Sequence, residues 1–353
     1  MKHKFFQRWS LGLHPERYHG AGKRAPFFEG WYFKIIDAAE QRRYAIIPGI
    51  SLSESGKETS DKGLGPHAFV QIFDGDRGEA HYIIYPLSEF RAVDDTFTLH
   101  IGPNRFALDA ISLDIAEGSL TAQGDLHFSG GVGWPITPIA PGIMGWYAWV
   151  PFMECYHGVL SFDHHIEGKL TLNNVVHDFT GGRGYIEKDW GKAFPSAWVW
   201  QQSNHFDEAG VPADGVLADG VPAAGVSLTA SIAMIPWLRR SFRGFIVGLW
   251  RRGTLYRFAT YTGAITEKLE ITANHIHWVV SDRLYRLEMC AHRSQATDLR
   301  GPTVKDMEKR VPETLTGTIE VRLTARINGA VIFEGLGRNA GIEAVGALDV
   351  LME

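Results

Sequence analysis

Short runs of apolar and aromatic residues recur through the first part of the chain. Gly, Asp and Asn residues separate the runs, and no stretch keeps the period of a long helix. The runs lie at residues 27–36, 44–50, 68–73, 81–85, 97–101 and 118–128. Their spacing of roughly ten residues predicts antiparallel strands in a sandwich or barrel rather than βαβ units.

The same pattern continues to the end of the chain, where Asn328-Gly329 is typical of a tight hairpin turn. Further strands are predicted at residues 197–206, 227–235, 242–249, 255–261, 316–326 and 331–334, with two more within 266–295. We therefore expect an all-β fold.

The stretch 181–206 combines a glycine-rich segment, a charged segment and a strand. Its first glycines indicate a turn or a close approach of two chain segments. Glu187, Lys188 and Asp189 lie at the approach to the strand, where a solvated turn with a surface ion pair is the ordinary alternative to a functional role.

Residues 197–206 do not show the usual alternation of apolar and polar residues. Because side chains alternate across a pleat, one face of this strand carries Trp198, Trp200, Gln202 and Asn204. Indoles beside amides suit the wall of a ligand cavity. A core strand whose far end reaches the surface would show the same pattern, and both interpretations stay open.

A single carboxylate, Glu154, interrupts the apolar segment 145–158. An unpaired carboxylate is unfavourable in an apolar environment. We therefore expect Glu154 to be partnered, protonated or directed into a cavity, unless it is exposed at a strand end.

Composition narrows the class of function. The net charge of −5 offers no basic surface for nucleic acid. Cys155 and Cys290 are too few for a disulfide framework or a cysteine-based zinc site, and they fit a reducing compartment. The sequence has no P-loop and no Gly-x-Ser-x-Gly motif, which argues against kinases and simple hydrolases.

The N-terminal residues lack the apolar run of a signal peptide, and no apolar stretch of membrane-spanning length follows. The sequence therefore predicts a cytoplasmic protein. Peripheral contact with a membrane stays open if the substrate is a lipid.

Three aromatic-rich blocks resemble the tocopherol cyclase family of plants and cyanobacteria. They are residues 28–33, residues 151–154, and a block with Glu187, Lys188, Trp190, Gly191, Phe194, Pro195, Trp198, Trp200, Gln202 and Asn204. The resemblance covers the whole chain. It does not carry over to Asp189, where the plant pattern has Asn, or to His157 and His205.

The resemblance implies two lipocalin-like antiparallel β-barrels in tandem, similar to carotenoid hydratase relatives. Residues 1–26 would form an N-terminal arm, residues 27–180 the first barrel and residues 181–353 the second. The second barrel would contain a low-complexity loop at 208–226, which repeats a short Gly-Val unit and cannot form a core. The implied activity is that of an isomerase, an intramolecular lyase of vitamin E biosynthesis that closes a prenylated benzoquinol to a chromanol.

Such a ring closure needs a proton for an alkene, stabilisation of a tertiary cation and capture of that cation by a phenol oxygen, without a metal or organic cofactor. A carboxylic acid kept neutral in an apolar pocket could supply the proton. We expect this acid to be Glu154, with Glu187 second and Glu29 third. The substrate-binding candidates are Trp31, Tyr32, Trp190, Trp198 and Trp200 for the cation and Gln202 and Asn204 for the quinol hydroxyls.

Two other functions fit the same sequence. A protein with aromatic-lined barrels could carry a prenylquinone or another apolar ligand without changing it. Alternatively, an enzyme of this fold could admit water to the cation and hydrate an isoprenoid alkene. A buried acid favours an enzyme, because a carrier has no use for one.

Overall fold

The computed structural model describes residues 11–53, 65–93, 95–118, 120–209 and 225–353. Regular structure in these residues is almost entirely β-strand, in two large antiparallel sheets, which confirms the all-β expectation. Residues 1–10 of the expected arm and residues 210–224 of the expected low-complexity loop lie outside the described residues. No described helix is long and apolar enough to cross a membrane.

The first sheet is built from the N-terminal part of the chain. Its strands are β1 (Phe27–Ile36), β2 (Arg43–Leu52), β3 (His67–Asp74), β4 (Glu79–Tyr85), β5 (Phe90–Ala92), β6 (Thr98–Ile101), β7 (Asn104–Ala107), β8 (Ala110–Glu117), β9 (Leu120–Ser129), β12 (Cys155–Leu172), β13 (Val175–Asp178) and β14 (Gly182–Gly191). Their order is β4-β3-β2-β1-β14-β12-β9-β8-β7-β6-β5, with β13 paired to β12. Between β9 and β12, a small hairpin of β10 (Ile136–Thr137) and β11 (Ala140–Pro141) precedes a 3-10 turn at Gly145–Trp149.

The second sheet is built from the C-terminal part. Its strands are β15 (Trp198–Ser203), β16 (His205–Glu208), β17 (Val226–Trp237), β18 (Arg240–Arg251), β19 (Thr254–Ala259), β20 (Ile265–Ile271), β21 (His275–Ser281), β22 (Tyr285–His292), β23 (Thr297–Gly301), β24 (Lys309–Ala325) and β25 (Val331–Val345). Their order is β19-β18-β17-β15-β25-β24-β22-β21-β20, with β16 on β25 and β23 on β24. Short 3-10 turns lie at Leu87–Glu89 and Thr260–Thr262, and a short helix spans Asp349–Met352.

Each large sheet has an apolar core on one face. In the first sheet the core contains fully buried side chains such as Trp31, Phe33 and Phe106. In the second sheet it contains Trp278 and Phe333. The β-branched and aromatic side chains that alternate along the strands supply these faces.

The chain divides into two compact units. One unit is Met1–Phe194 with Asp298–Val311, and the other is Pro195–Thr297 with Pro312–Glu353. The expected boundary after residue 180 differs from this division, because β14 is hydrogen-bonded to β1 and β12 in the first sheet. The glycines before β14 therefore do not form a linker between domains.

Candidate active site

β14 directs two sets of side chains to opposite faces of the first sheet. Lys188 lies opposite Trp31, a core residue of β1, and therefore on the core face of the sheet. Trp190 lies on the same face, because side chains alternate along a strand. Tyr185, Glu187 and Asp189 therefore lie on the other face. The structure excludes the alternative of a solvated turn at these charges, because they lie within a strand, Glu187 is 5% exposed and Lys188 is fully buried.

A histidine from β12 joins the second set. His157 lies directly opposite Asp189 in the register of β12 and β14. Its Nδ1 donates a hydrogen bond to Asp189 Oδ1 at 2.9 Å, and its Nε2 lies 3.6 Å from Glu187 Oε2. The hydroxyl of Tyr185 donates to the same Glu187 oxygen at 2.6 Å. These four side chains, Tyr185, Glu187, His157 and Asp189, are called the proton cluster below.

The two carboxylates decide the protonation of His157. Burial alone would lower the pKa of this imidazole, but the negative charges of Asp189 and then Glu187 raise the pKa to about 9. The imidazole is therefore a cation at neutral pH. A histidine that keeps a second proton between two carboxylates is a store for one transferable proton.

The proton cluster is also a potential ligand set for a metal ion. One ligand atom each from His157, Glu187 and Asp189 lies within 4.8 Å of the others. Nitrogen and carboxylate ligands of this kind suit zinc. A metal would have to displace the second proton of His157, so metal binding and proton storage compete at this place.

The opposite face of β14 holds a buried ion pair. Lys188 Nζ lies 2.6 Å from Glu29 Oε1, and both side chains are fully buried. Burial opposes ionisation of Glu29, but the Lys188 ammonium lowers the pKa of the carboxyl below its ordinary value. Burial lowers the pKa of Lys188 to about 8, and Glu29 limits that shift. The pair is thus ionised at neutral pH.

The segment before β1 completes the surroundings of this ion pair. Lys188 Nζ donates to the carbonyl of Pro15 at 2.9 Å, to the carbonyl of Arg17, and to His19 Nδ1 at 2.8 Å. The backbone N–H of His19 donates to both oxygens of Glu29, at 2.9 and 3.0 Å. Buried charges with this many partners form a structural clamp between the arm and the sheet.

This clamp bears on three sequence expectations, those for Glu29, Trp31 and Trp190. Glu29 is held as a carboxylate, so its surroundings do not suit a neutral acid. The rings of Trp31 and Trp190 each lie 4.7 Å from Lys188 Nζ, which places a protein cation on both indoles. Lys188 thus already places a cation beside both indoles, and their contact with a substrate cation stays a prediction.

Glu154 lies just before β12 and is half-buried. Burial raises the pKa of its carboxyl, and the charges of Lys309 and Lys192 oppose that rise. The carboxyl thus has part of the character expected of the acid, but it is in contact with solvent. Tyr32, the remaining ring candidate in this unit, lies on β1 opposite Glu187 and shares the face of the proton cluster.

The other candidates lie in the second unit. Trp198 and Trp200 are buried on the face of β15 opposite the core, and Trp198 Nε1 donates to Glu343 Oε2 at 2.6 Å. Gln202 is fully buried farther along this strand. Asn204 follows β15 and its Oδ1 is hydrogen-bonded to His205 Nδ1 at 3.0 Å. The contact of these residues with a substrate stays a prediction.

Tyr185, and the joint action of His157 with Asp189, are absent from the sequence expectations. Tyr185, Glu187 and Asp189 alternate at every second position, which is the signal for one strand face. The glycines just before these residues favour a turn, and this stronger local signal hides the alternation. His157 lies far away in the sequence and carries no local indication of its partner.

Comparison with known proteins agrees with the resemblance of the aromatic blocks. A probable chloroplastic tocopherol cyclase of Oryza sativa subsp. japonica is 22% identical over 383 residues, which cover 93% of this chain and 77% of that protein. The chloroplastic tocopherol cyclase of Zea mays is 21% identical with the same coverage. The crystal structure of kievitone hydratase from Nectria haematococca is 13% identical, covers 95% of this chain and 94% of that chain, and superposes with a TM-score of 0.46.

The tocopherol cyclase-like family model matches residues 122–347, which include β12, β14 and β15. This region is more than half of the chain and contains the proton cluster. The chain therefore belongs to the tocopherol cyclase-like family.

Proposed function

We propose that this protein is an isomerase that closes a prenylated benzoquinol to a chromanol, in line with its plant relatives, which are named tocopherol cyclases. The observation that carries the proposal is the proton cluster. A carrier of apolar ligands needs no imidazolium between two carboxylates, whereas acid-initiated ring closure needs a group that delivers a proton and then recovers one.

The cluster can do both within one turnover. A proton moves from His157 to Glu187, which leaves neutral imidazole paired with the Asp189 carboxylate and keeps the net charge of the cluster unchanged. The Glu187 carboxylic acid then protonates the alkene, and the phenol oxygen forms its bond to the tertiary carbon. The phenol proton returns to the cluster, so substrate and product have the same atoms.

Glu187 is preferred to Glu154 for two reasons. Glu187 is almost fully buried and is oriented by the Tyr185 hydroxyl. Glu154 is half-buried near Lys192 and Lys309, and water around the carboxyl would compete with the phenol for the cation. The ring of Tyr32 lies on the neighbouring strand and could stabilise a desolvated cation by about 2 kcal/mol.

We further propose that each large sheet forms a lipocalin-like barrel, as the family resemblance implies. In support, hydrogen-bonded strands within each sheet run antiparallel, and each sheet carries one apolar core. Trp198, Trp200, Gln202 and Asn204 stay predictions as substrate contacts in the second unit.

The first test is an anaerobic incubation of the purified protein with a dimethylphytylbenzoquinol in D₂O, followed by mass spectrometry of the extracted lipid. We expect a chromanol with one carbon-bound deuterium. Glu187→Gln should lower kcat by roughly 10²- to 10⁴-fold, the usual contribution of a general acid. Turnover should also decline as pH rises through about 9, where His157 loses its second proton.

Glu154→Gln is the matched control, because it removes the other candidate acid of the same unit, and it should retain most of the turnover. Loss of activity in Glu154→Gln with retention in Glu187→Gln would move the acid to Glu154. Quinol recovered bound and unchanged would support a carrier, and a tertiary alcohol would support a hydratase; either result contradicts the cyclase proposal.

A further inference from the structure

The segment between β9 and β12 has an unusual composition. Residues 128–153 contain no Asp, Glu, Lys or Arg, and they include three Trp residues, one Tyr and two Phe residues. Surface loops of soluble proteins are normally rich in polar residues, so an uncharged aromatic segment of this length calls for a physical explanation.

Part of the segment is anchored in the first unit. Trp134, Ile143 and Met153 are buried, and the Trp134 ring stacks on Phe162 with centroids 5.6 Å apart. The backbone of Val132 accepts a hydrogen bond from the Phe162 N–H at 2.7 Å. These contacts hold the segment in a defined position on the sheet.

Other apolar side chains of the same segment face solvent. Ile139, at the tip of the β10–β11 hairpin, is 83% exposed, and Trp146, in the following 3-10 turn, is 46% exposed. The further exposed members are Val132, Ile136 and Phe152. The hairpin and the turn lie side by side, because Trp149 Nε1 donates to the carbonyl of Pro138 at 3.0 Å.

We propose that this surface, defined by Val132, Ile136, Ile139, Trp146 and Phe152, docks on the interface of a lipid bilayer. Aliphatic side chains at a loop tip can enter the acyl region, and an indole beside them suits the headgroup level. The absence of charge in the segment removes the desolvation that would oppose insertion. With a net charge of −5, the protein has no general attraction to anionic lipid, so apolar contact drives the binding.

The surface lies next to the proton cluster along the chain. The segment ends immediately before β12, and the Tyr156 hydroxyl donates to the carbonyl of Val150. His157 follows in the same strand. The docking rests on the exposed side chains of the segment and not on the proposed reaction.

The test is cosedimentation with vesicles of pure phosphatidylcholine, without substrate. We expect the protein to bind and to stay bound in about 1 M NaCl, where the screening length falls to about 3 Å. Ile139→Asp should lower the partition coefficient about tenfold, because it replaces an inserted aliphatic side chain with a charge. Ile327→Asp is the matched control: Ile327 is 94% exposed at a turn of the second unit, and its substitution should leave binding unchanged.

Three results would overturn docking on a bilayer: no sedimentation of the wild-type protein, release by salt, or equal binding of Ile139→Asp and wild type. Self-association that Ile139→Asp abolishes would assign the surface to a second copy of the chain instead. Thermal unfolding of Ile139→Asp should match the wild type, because the side chain is exposed. Turnover of quinol in detergent micelles tests the reaction separately, so failure of either proposal can be recognised.

Discussion

His157 takes its properties from two carboxylates that lie on another strand. In water an imidazole is mostly neutral at pH 7, but contact with Asp189 and Glu187 raises the pKa of His157 to about 9 despite burial. The same residue type thus changes from a neutral base to a stored proton. The cause is the position of the neighbouring charges and not the sequence around the histidine.

This pKa predicts a pH-dependent stability. Since the pKa of His157 in the folded protein is about 9 against an ordinary 6.5, its stabilising effect is complete below pH 6.5 and is lost as pH rises through about 9. The loss should be about 3 kcal/mol of unfolding free energy. Urea unfolding of the wild type and of His157→Gln across this range measures it.

The variant is needed because Lys188 also titrates in this pH range. Its pKa is lowered to about 8, so its contribution to the free energy of unfolding increases with pH, whereas that of His157 decreases. The difference between wild type and His157→Gln cancels this contribution. A difference that stays constant from pH 6.5 to pH 9 would mean that His157 is not a cation in the folded protein.

At the scale of the elements, β14 is the strand that organises the first unit. It lies between β1 and β12 and separates the buried ion pair from the proton cluster. The glycines immediately before and at the start of β14 meet two steric requirements. Gly181 adopts a φ of 82°, and a Cβ at residue 182 would lie 2.2 Å from the carbonyl oxygen of Ile36. The glycines thus serve a turn followed by a close approach.

Gly182→Ala should therefore destabilise the protein by about 1–3 kcal/mol, because the methyl group would push a backbone carbonyl away from β14. Gly30→Ala is the control in the adjacent strand, since a Cβ there meets its nearest atom at an ordinary 3.8 Å. Its effect should be much smaller. Equal effects of the two substitutions on urea unfolding would contradict the steric explanation.

At the scale of the whole molecule, residues distant in sequence complete the first unit. Asp298–Val311 belongs to this unit although the chain before and after it belongs to the other. Gln71 of β3 holds the returning segment: its Oε1 accepts from the Arg300 N–H at 2.9 Å, and its Nε2 donates to the Arg300 carbonyl at 3.4 Å. The Arg300 guanidinium also lies 5.1 Å from the centre of the Tyr82 ring.

Gln71→Ala should expose the Arg300 amide and increase its hydrogen exchange about fivefold, because one buried hydrogen bond contributes about 1 kcal/mol. Hydrogen exchange followed by mass spectrometry of peptides covering residues 298–301 measures this change. Gln123→Ala is the control, since Gln123 lies on the same sheet but bonds to the surface residue Asp114. Unchanged exchange in Gln71→Ala would show that the segment is held by other contacts.

The sequence by itself determined the class of fold, most strand positions and the aromatic blocks that mark the family. These properties are local, since alternation, β-branched residues and turn residues act over a few neighbours. The match of the family model to residues 122–347 confirms the blocks after 122. The compact units divide after Phe194 and not after residue 180, because β14 pairs with β1 and β12, and this pairing has no signal within β14.

Tertiary structure alone decided what the charged residues do. Glu187, Lys188 and Asp189 are adjacent in sequence, yet alternation in a doubly paired strand sends Lys188 to Glu29 and the two carboxylates to His157. Each of these partners comes from a segment distant from β14. The energy of a charge depends on its distance to other charges and to water, and only the folded chain sets those distances.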